Sequence, residues 1–269
     1  MKQVNTFNQQ QTSHAQSHKG AVRQINEDAF LELPHYGVWV VADGMGGHSA
    51  GDVASQLVID VVQSHVEAVT PDALDCDLLV NALKSANEEL LNLSKYQLNG
   101  KVAGSTVVIL FIKDNQFYML WAGDSRGYLL RNHQLIQLTK DHSQVNDMVD
   151  EGVLELSEAE DHPLANVITR AVGVDENLNV EVKELSINDS DVFLLCSDGL
   201  NKEVSDKEIE KALQSGSIID SGMALMHASL VRNARDNVTC ILVKHKGEFN
   251  KIPLLDDDIT IPYIRPINL

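Results

Sequence analysis

The sequence is poor in cysteine and has no long apolar run. Its three cysteines, Cys76, Cys196 and Cys240, are odd in number and widely spaced, which argues against the disulfide framework of a small secreted domain. The longest uninterrupted apolar run, residues 107–112, is far shorter than the roughly 20 residues that a membrane-spanning helix needs. The first residues, MKQVNTFNQQQ, lack the apolar stretch of a secretory signal. We therefore expect a reduced, cytoplasmic protein that does not associate with a membrane.

Basic side chains are also scarce. The chain has 21 Lys and Arg against 39 Asp and Glu, a formal net charge of −18. Nucleic acids and anionic lipids bind clustered cations, so this balance argues against both as partners. The length of 269 residues and an apolar fraction of 43% are typical of a globular protein with one large domain or two small ones. We favour one domain.

Short β-branched runs that end in turn residues predict strands at residues 12–18, 36–42, 105–112, 116–123, 126–131, 180–185, 192–196 and 238–243. Helical spacing of apolar residues predicts helices at residues 49–69, from Pro71 onward, and at 206–214 and 218–233. The short links Asp114-Asn115 and Asp124-Ser125 predict that the strands they join are antiparallel neighbours. Strands and helices do not alternate regularly, which indicates an α+β domain with antiparallel sheets covered by helices.

Composition divides the chain into three parts. Residues 1–11 form a polar N-terminal arm, residues 12–246 form the domain, and residues 247–269 form a tail with three consecutive aspartates and three of the six prolines. The tail is expected to be a linker or an extended arm. Within the domain, a polar stretch at about 140–170 is expected to be an exposed flap that carries an acidic helix.

Carboxylates follow several of the predicted strands. Asp43, Asp124 and Asp198 each stand at a strand exit, while Glu27, Asp28 and Asp236 flank other strands. Taken singly, an Asp-Gly after a strand is usually a turn. If all of these carboxylates converge on one sheet edge, their mutual repulsion requires cations. Oxygen ligands without nearby Cys or His pairs favour Mg²⁺ or Mn²⁺ over zinc.

Six motifs occur here in the order found in metal-dependent Ser/Thr protein phosphatases. They are Arg23-Gln24-Ile25-Asn26-Glu27-Asp28, Val41-Ala42-Asp43-Gly44-Met45-Gly46-Gly47, Gly104-Ser105-Thr106, Gly123-Asp124-Ser125-Arg126, Ser197-Asp198-Gly199-Leu200 and Asp236-Asn237. Over residues 12–245 the sequence resembles the bacterial branch of the protein phosphatase 2C family. The resemblance implies a four-layer α-β-β-α sandwich of two antiparallel sheets flanked by helices. It also implies two Mn²⁺ or Mg²⁺ ions in a cleft at one edge of the sandwich.

The resemblance assigns a metal-binding role to each motif carboxylate. Asp43 would bridge both ions, the Gly44 carbonyl with Glu27 or Asp28 would serve the second ion, and Asp198 with Asp236 would complete the first. Asp124 matches the position that, with Asp198, holds a third, weakly bound ion in bacterial relatives. Two ions about 4 Å apart would lower the pKa of a bridging water and neutralise charge on the phosphoryl group.

Arg23 matches the residue that would hold two phosphate oxygens through its planar guanidinium. The catalytic set implied is therefore Arg23, Asp43, Asp198 and Asp236. The alternative for Arg23 is an exposed arginine that pairs with Glu27.

Several groups could act as the general acid that protonates the leaving oxygen of serine or threonine. Some family members place a histidine directly after the Asp-Gly, but this sequence has Met45 there, and the nearby histidine is His48. His48 could donate a proton, contact substrate or cap the following helix, and metal-bound water could act as the acid instead. The Thr106 hydroxyl could hydrogen-bond a metal-binding carboxylate or reflect strand propensity. Cys196 lies in an apolar run and is expected to be a core residue.

Two other functions, a serine hydrolase and a non-catalytic binding module, fit the sequence less well. Residues 47–51 spell the G-x-S-x-G pattern of serine hydrolases, but Ser49 does not directly follow its strand and fits an N-cap better. A non-catalytic phosphoprotein-binding module could lose metal ligands, yet all the metal-site matches are present in this sequence. We therefore predict a monomeric Ser/Thr protein phosphatase that acts on phosphorylated proteins and opposes a cognate bacterial Ser/Thr kinase. Residues 197–203, SDGLNKE, look like the subgroup associated with type VI secretion.

Overall fold

The strands of this computed structural model, which describes residues 11–46, 50–98, 101–159 and 162–246, form two antiparallel sheets. The first sheet contains β1 (Gln11–His18), β7 (Arg126–Arg131), β8 (Gln134–Gln137), β10 (Val192–Cys196) and β11 (Val238–His245). Its strand order is β1-β11-β10-β7-β8. The second contains β2 (Asp28–Leu33), β3 (Val38–Met45), β4 (Gly104–Ser105), β5 (Val107–Lys113), β6 (Gln116–Ala122) and β9 (Glu181–Ser186). Its order is β2-β3-β5-β6-β9, and β4 pairs with β3.

Helices cover the outer face of each sheet. Their bounds are α1 (Ala50–Glu67), α2 (Cys76–Tyr96), α3 (Gln144–Asp150), α4 (Leu156–Ala159), α5 (Asp198–Asn201), α6 (Asp206–Leu213) and α7 (Ile218–Val231). The buried faces of α1 and α2 pack on the second sheet, whereas α5, α6 and α7 cover the first. Of the helices in the described ranges, none is long and apolar enough to cross a membrane.

The central strand β3 shows why the sandwich has four layers. Side chains alternate along a strand, so Val38 and Val40 pack with α1 and α2 while Trp39 and Val41 pack between the sheets. Both faces are therefore buried, which explains why this strand reads as a continuous apolar run rather than an alternating one. The predicted α-β-β-α sandwich is confirmed.

One predicted strand pair is wrong. The β5–β6 hairpin forms as expected, with Asp114 and Asn115 at positive φ of 50° and 61°. The strands β6 and β7, however, lie in different sheets, and the link between them crosses from one sheet to the other. Gly123 makes this possible because its φ is +121° and a Cβ there would lie 2.5 Å from Thr106 Cβ. Asp124 therefore stands in the crossover between the sheets and not in a hairpin turn.

Smaller differences concern element ends. Pro71 opens only a short 3₁₀ turn, Pro71–Ala73, and the helix itself begins at Cys76. Its N-cap is Asp75, whose Oδ1 accepts from the Leu78 N–H at 2.8 Å. The short edge strand β8 was not predicted. The expected flap contains α3 and α4, and both its mobility and the domain boundaries stay predictions.

Candidate functional site

The carboxylates meet where the edges of the two sheets come together. Asp28 and Asp43 are directly opposite each other in the antiparallel β2–β3 pair. Asp198 begins α5 immediately after β10, and the preceding Ser197 reaches across the sandwich to donate to Asp28 Oδ2 at 2.8 Å. Ser197 Oγ also accepts from the Thr239 N–H at 3.0 Å. One buried hydroxyl thus ties Asp28 of the second sheet to strands β10 and β11 of the first.

Burial and crowding raise the pKa of three of these carboxyls. The pKa of Asp43 lies well above its ordinary value, first because of burial and then because Asp28, Asp198, Asp124 and Asp236 are close. For Asp28 and Asp124, burial, followed by neighbouring carboxylates, raises the pKa to about 7. The protein alone therefore does not supply enough positive charge to keep all of them ionised at neutral pH.

Three of these carboxylates each keep one buried oxygen without a hydrogen-bond partner. Across the residues that the structure describes, four buried side-chain polar atoms lack a partner, and three of them are Asp28 Oδ1, Asp124 Oδ1 and Asp198 Oδ1. Buried polar atoms are rarely left unpaired, so a cluster of three needs an explanation. Hard divalent cations bind such oxygen donors. The donor set therefore fits Mn²⁺ or Mg²⁺.

Two other carboxylate oxygens of the cluster contact cations of the protein itself. Asp198 Oδ2 is ion-paired with Lys202, and Asp236 Oδ2 accepts from Arg23 Nη2 at 2.8 Å. Accordingly, no group of three or more His, Cys, Asp or Glu side chains within the described residues already has the arrangement of a complete metal site. Ion binding would require Asp236 to turn from Arg23, whereas Asp198 has its unpartnered Oδ1 available for an ion while Oδ2 stays with Lys202.

Backbone contacts hold Glu27 and Gly44 next to each other beside the carboxylate cluster. The Gly44 N–H donates to the Glu27 carbonyl at 3.0 Å. A Cβ on Gly44 would lie 1.9 Å from the Gly51 carbonyl, and one on Gly51 would lie 2.4 Å from Glu27 Oε1. Both glycines are needed for this close approach, which places the first turn of α1 beside the site.

Arg23 extends from the loop before β2 with 47% of its side chain exposed. Besides the Asp236 bond, its Nη1 lies 4.0 Å from Glu27 Oε2. The alternative pairing with Glu27 is therefore present, at the limit of an ion pair, but the stronger contact is with Asp236.

The hydroxyl of Thr106 supports Asp43 through the backbone. Thr106 Oγ1 accepts from the Asp43 N–H at 3.2 Å and shares a 2.7 Å hydrogen bond with Ser125 Oγ. Of the two interpretations given for Thr106, the bond to a metal-binding carboxylate does not form, because the hydroxyl contacts the Asp43 N–H and Ser125 instead. Cys196 is fully buried, and burial raises its pKa, in agreement with a core residue.

Comparison with known proteins shows to which family the chain belongs. Residues 11–242 match the family model described as protein phosphatase 2C. The chain belongs to the protein phosphatase 2C family. The predicted family and the predicted enzyme class, a protein-serine/threonine phosphatase, are thereby confirmed.

Relatives resemble this phosphatase over most of their length. The serine/threonine phosphatase Stp of Listeria monocytogenes is 33% identical over 234 residues, which cover 84% of this chain and 92% of that protein. The catalytic domain of the phosphatase PstP, solved in complex with two manganese ions, is 32% identical with a TM-score of 0.79, covering 88% of this chain and 99% of that one. PppA, described as a key regulatory component of the type VI secretion system in Pseudomonas aeruginosa, is 39% identical with a TM-score of 0.76, covering 87% and 97%.

Sequence reasoning missed two residues that position parts of this phosphatase. Asn237 is buried, and its Oδ1 accepts from the Glu27 N–H at 2.8 Å while its Nδ2 donates to the carbonyls of Lys19 and Ile25 at 3.0 and 2.9 Å. Its place in the Asp236-Asn237 motif was a signal that could have found it, since a buried amide beside a metal-binding carboxylate needs partners of its own. Asn237 thus fixes the loop that carries Arg23 and Glu27.

The second missed residue, His142, braces the crossover that carries Asp124. The Gly123 N–H donates to His142 Nδ1 at 3.0 Å, and Nε2 lies 3.0 Å from Glu181 Oε1. Burial lowers the pKa of His142, against the effect of Glu181. Arg170 Nη1 also lies 2.9 Å from Nε2, so this nitrogen faces both an acidic and a basic side chain. No spacing in the sequence marks this histidine. His48 and Ser49 lie outside the described residues.

The raised carboxyl pKa values predict how the stability of the metal-free phosphatase depends on pH. Between about pH 4 and 7 the folded chain holds protons on Asp28 and Asp124 that the unfolded chain has released, so these groups lower the free energy of unfolding as the pH rises. In the variants Asp28→Asn and Asp124→Asn, the substituted side chain does not ionise, so this loss of stability at higher pH is removed at that position. In EDTA, their melting temperatures should therefore rise relative to wild type from about pH 5 to pH 8.

Thermal melts of wild type and both variants across this pH range test the prediction, and Asp60→Asn, an exposed position on α1, is the control. A constant difference between wild type and the two variants would contradict the raised pKa values.

Proposed function

We propose that this phosphatase hydrolyses phosphoserine and phosphothreonine in proteins by means of a water molecule activated by two divalent cations, Mn²⁺ or Mg²⁺. We further propose that it acts as a monomer in the cytoplasm and opposes a Ser/Thr kinase. The observation that carries the proposal is the set of three buried, unpartnered carboxylate oxygens on Asp28, Asp124 and Asp198. The PstP structure with two manganese ions supports the choice of metal.

The positions of the side chains support the set of ligands that the family resemblance implies. Asp43 lies among the other carboxylates and is proposed to contact both ions. Asp198 and Asp236, from the first sheet, are proposed to hold one ion. Glu27 or Asp28, together with the Gly44 carbonyl, is proposed to hold the other. When bound, the ions would lower the pKa of water and neutralise phosphoryl charge.

Arg23 is proposed to bind the phosphate of the substrate. Its guanidinium is exposed on one side and contacts Asp236 on the other, so it stands at the entrance to the carboxylate cluster. A planar guanidinium can hold two phosphate oxygens at once. This would orient the phosphorus toward the site and leave the serine or threonine side of the ester facing solvent.

The biological setting is proposed from the relatives. PppA is described as a regulator of type VI secretion, and its 39% identity supports a similar role here. The phosphorylated protein substrates and the kinase are then those of such a regulatory system.

Phosphate release from phosphoserine and phosphothreonine peptides by the purified chain with Mn²⁺ tests the proposal. Multiple turnovers with wild type and with Ser49→Ala are expected. Loss of turnover in Ser49→Ala with unchanged metal binding would instead favour the serine hydrolase. Peptide binding without phosphate release would favour the non-catalytic module.

Asn237→Ala should reduce both stability and substrate affinity. The change leaves the Glu27 N–H and two carbonyls without their buried partner, which should cost about 2 to 4 kcal/mol and lower the melting temperature by about 5 to 10 °C. Because the loop that carries Arg23 is released, KM should rise at least about threefold.

A matched control is Asn87→Ala. Asn87 is equally buried, and its amide donates to the Asp175 carbonyl at 2.8 Å and accepts from the Gly173 N–H at 2.7 Å. It should lose similar stability with an unchanged KM. Equal KM values in the two variants would show that Asn237 acts on stability alone.

A further inference from the structure

The ammonium group of Lys202 contacts the carboxylate of Asp198. The Lys202 N–H donates to the Asp198 carbonyl at 2.9 Å, so the two residues are one helical turn apart at the end of α5. Side chains at this spacing lie next to each other on a helix surface. The contact is thus built into the local backbone and does not depend on a distant loop.

The same ammonium also acts on Asp124. Its charge interacts with the Asp124 carboxylate, as the charge of Asp198 also does. Asp124 and Asp198 are 7% and 9% exposed, and each keeps one buried oxygen without a partner. Lys202 is therefore a positive charge placed beside two nearly buried carboxylates from different sheets.

This pair differs from an ordinary surface ion pair. Exposed Lys–Asp pairs at this spacing contribute little, because both partners are solvated. Here the Asp198 side chain is only 12% exposed, while the lysine is 39% exposed. Arg23, another cation at the cluster, extends from a loop and is 47% exposed. Its side chain can therefore turn to a phosphate, whereas the backbone of α5 holds Lys202 beside Asp198.

We propose that Lys202 serves as an internal cation on the Asp124–Asp198 side of the cluster and excludes a divalent ion from that position. The resemblance to bacterial relatives implies a third, weakly held ion between these two carboxylates. In this chain an ion there would have to displace an ammonium that already neutralises Asp198. The phosphatase would then work with two ions, and the inference rests on the metal-dependent function proposed above.

Calorimetric titration of Mn²⁺ into the metal-free full chain tests this role without measuring activity. Wild type and Lys202→Arg, which keeps the charge, should bind two ions. At Mn²⁺ concentrations that fill two sites in wild type, Lys202→Met should bind one more ion per chain, with a dissociation constant at least about tenfold below the value at which binding there would go undetected in wild type, because a contacting positive charge is gone. The double variant Lys202→Met/Asp124→Asn should return to two ions, since the added ion needs the Asp124 carboxylate.

Lys207→Met, at an exposed position on α6, controls for the loss of one positive charge. An added ion in this control, three ions in wild type, or an unchanged number in Lys202→Met would each overturn the proposal. So would an added ion that persists in the double variant. Lys202→Gln, measured in the same way, replaces Lys202→Met if a thermal melt shows that the latter is unfolded. Absence of any Mn²⁺ binding by wild type would instead overturn the proposed function.

Discussion

Asp43→Ala is expected to abolish phosphate release and to lower the number of divalent ions that the chain binds. Asp43 lies opposite Asp28 in the β2–β3 pair, and its charge interacts with Asp28, Asp198, Asp124 and Asp236. In the proposed site, Asp43 contacts both ions. Its removal should reduce kcat by about a thousandfold or more, which corresponds to a barrier increase of about 4 kcal/mol.

Arg23→Ala provides the contrast. This change should leave ion binding intact and mainly raise KM, because it removes a contact to the phosphate and not a metal ligand. Calorimetric titration with Mn²⁺ and steady-state kinetics on the same preparations separate the two variants. Asp60→Ala, on the exposed face of α1, should match wild type in both measurements. Unchanged two-ion binding in Asp43→Ala would remove this residue from the site.

Removal of divalent ions is expected to eliminate turnover and to destabilise the folded chain. In excess EDTA the rate should fall by about a thousandfold or more, because the proposed nucleophile is a water molecule that the divalent ions activate. Without the ions, nothing would offset the burial of the carboxylates and their mutual repulsion, the two causes that raise the pKa of Asp28 and of Asp124.

Restoring Mn²⁺ should recover both properties. A concentration of about 100 times the dissociation constant should stabilise the folded chain by about 2.7 kcal/mol, a rise of about 5 to 10 °C in melting temperature. The effect should be larger at pH 8 than at pH 6, since more carboxyls are ionised in the metal-free state at pH 8. Full turnover in EDTA would contradict metal dependence. Recovery of stability without recovery of turnover would show that the ions stabilise the fold but do not take part in hydrolysis.

Local patterns predicted most elements of this fold because their causes are local. The apolar run of β3 and the Asp114-Asn115 turn are determined by side chains within a few residues, and both form as expected. The crossover after β6 was mispredicted because a short link normally joins neighbours in one sheet. Here the positive φ of Gly123 and the lack of a Cβ beside Thr106 allow a short link to change sheets.

In the site, too, local sequence features could be predicted and contacts between distant residues could not. Its carboxylates could be named from motifs at strand ends, and the structure brings Asp28, Asp43, Asp124, Asp198 and Asp236 together. The contacts that hold them in place could not be predicted, because the two residues of each contact are distant in sequence. Ser197 reaches Asp28, and Asn237 reaches Glu27, only after both sheets have formed. Such contacts leave no periodic pattern in the sequence.

Anomalous X-ray diffraction from crystals grown with Mn²⁺ is the most direct measurement of the two-ion site. We expect two strong manganese peaks at the junction of β2, β3 and α5, with the Asp43 carboxylate between them and Asp198 and Asp236 on one of the two ions. A single peak, or peaks that do not contact Asp43, would contradict the two-ion site.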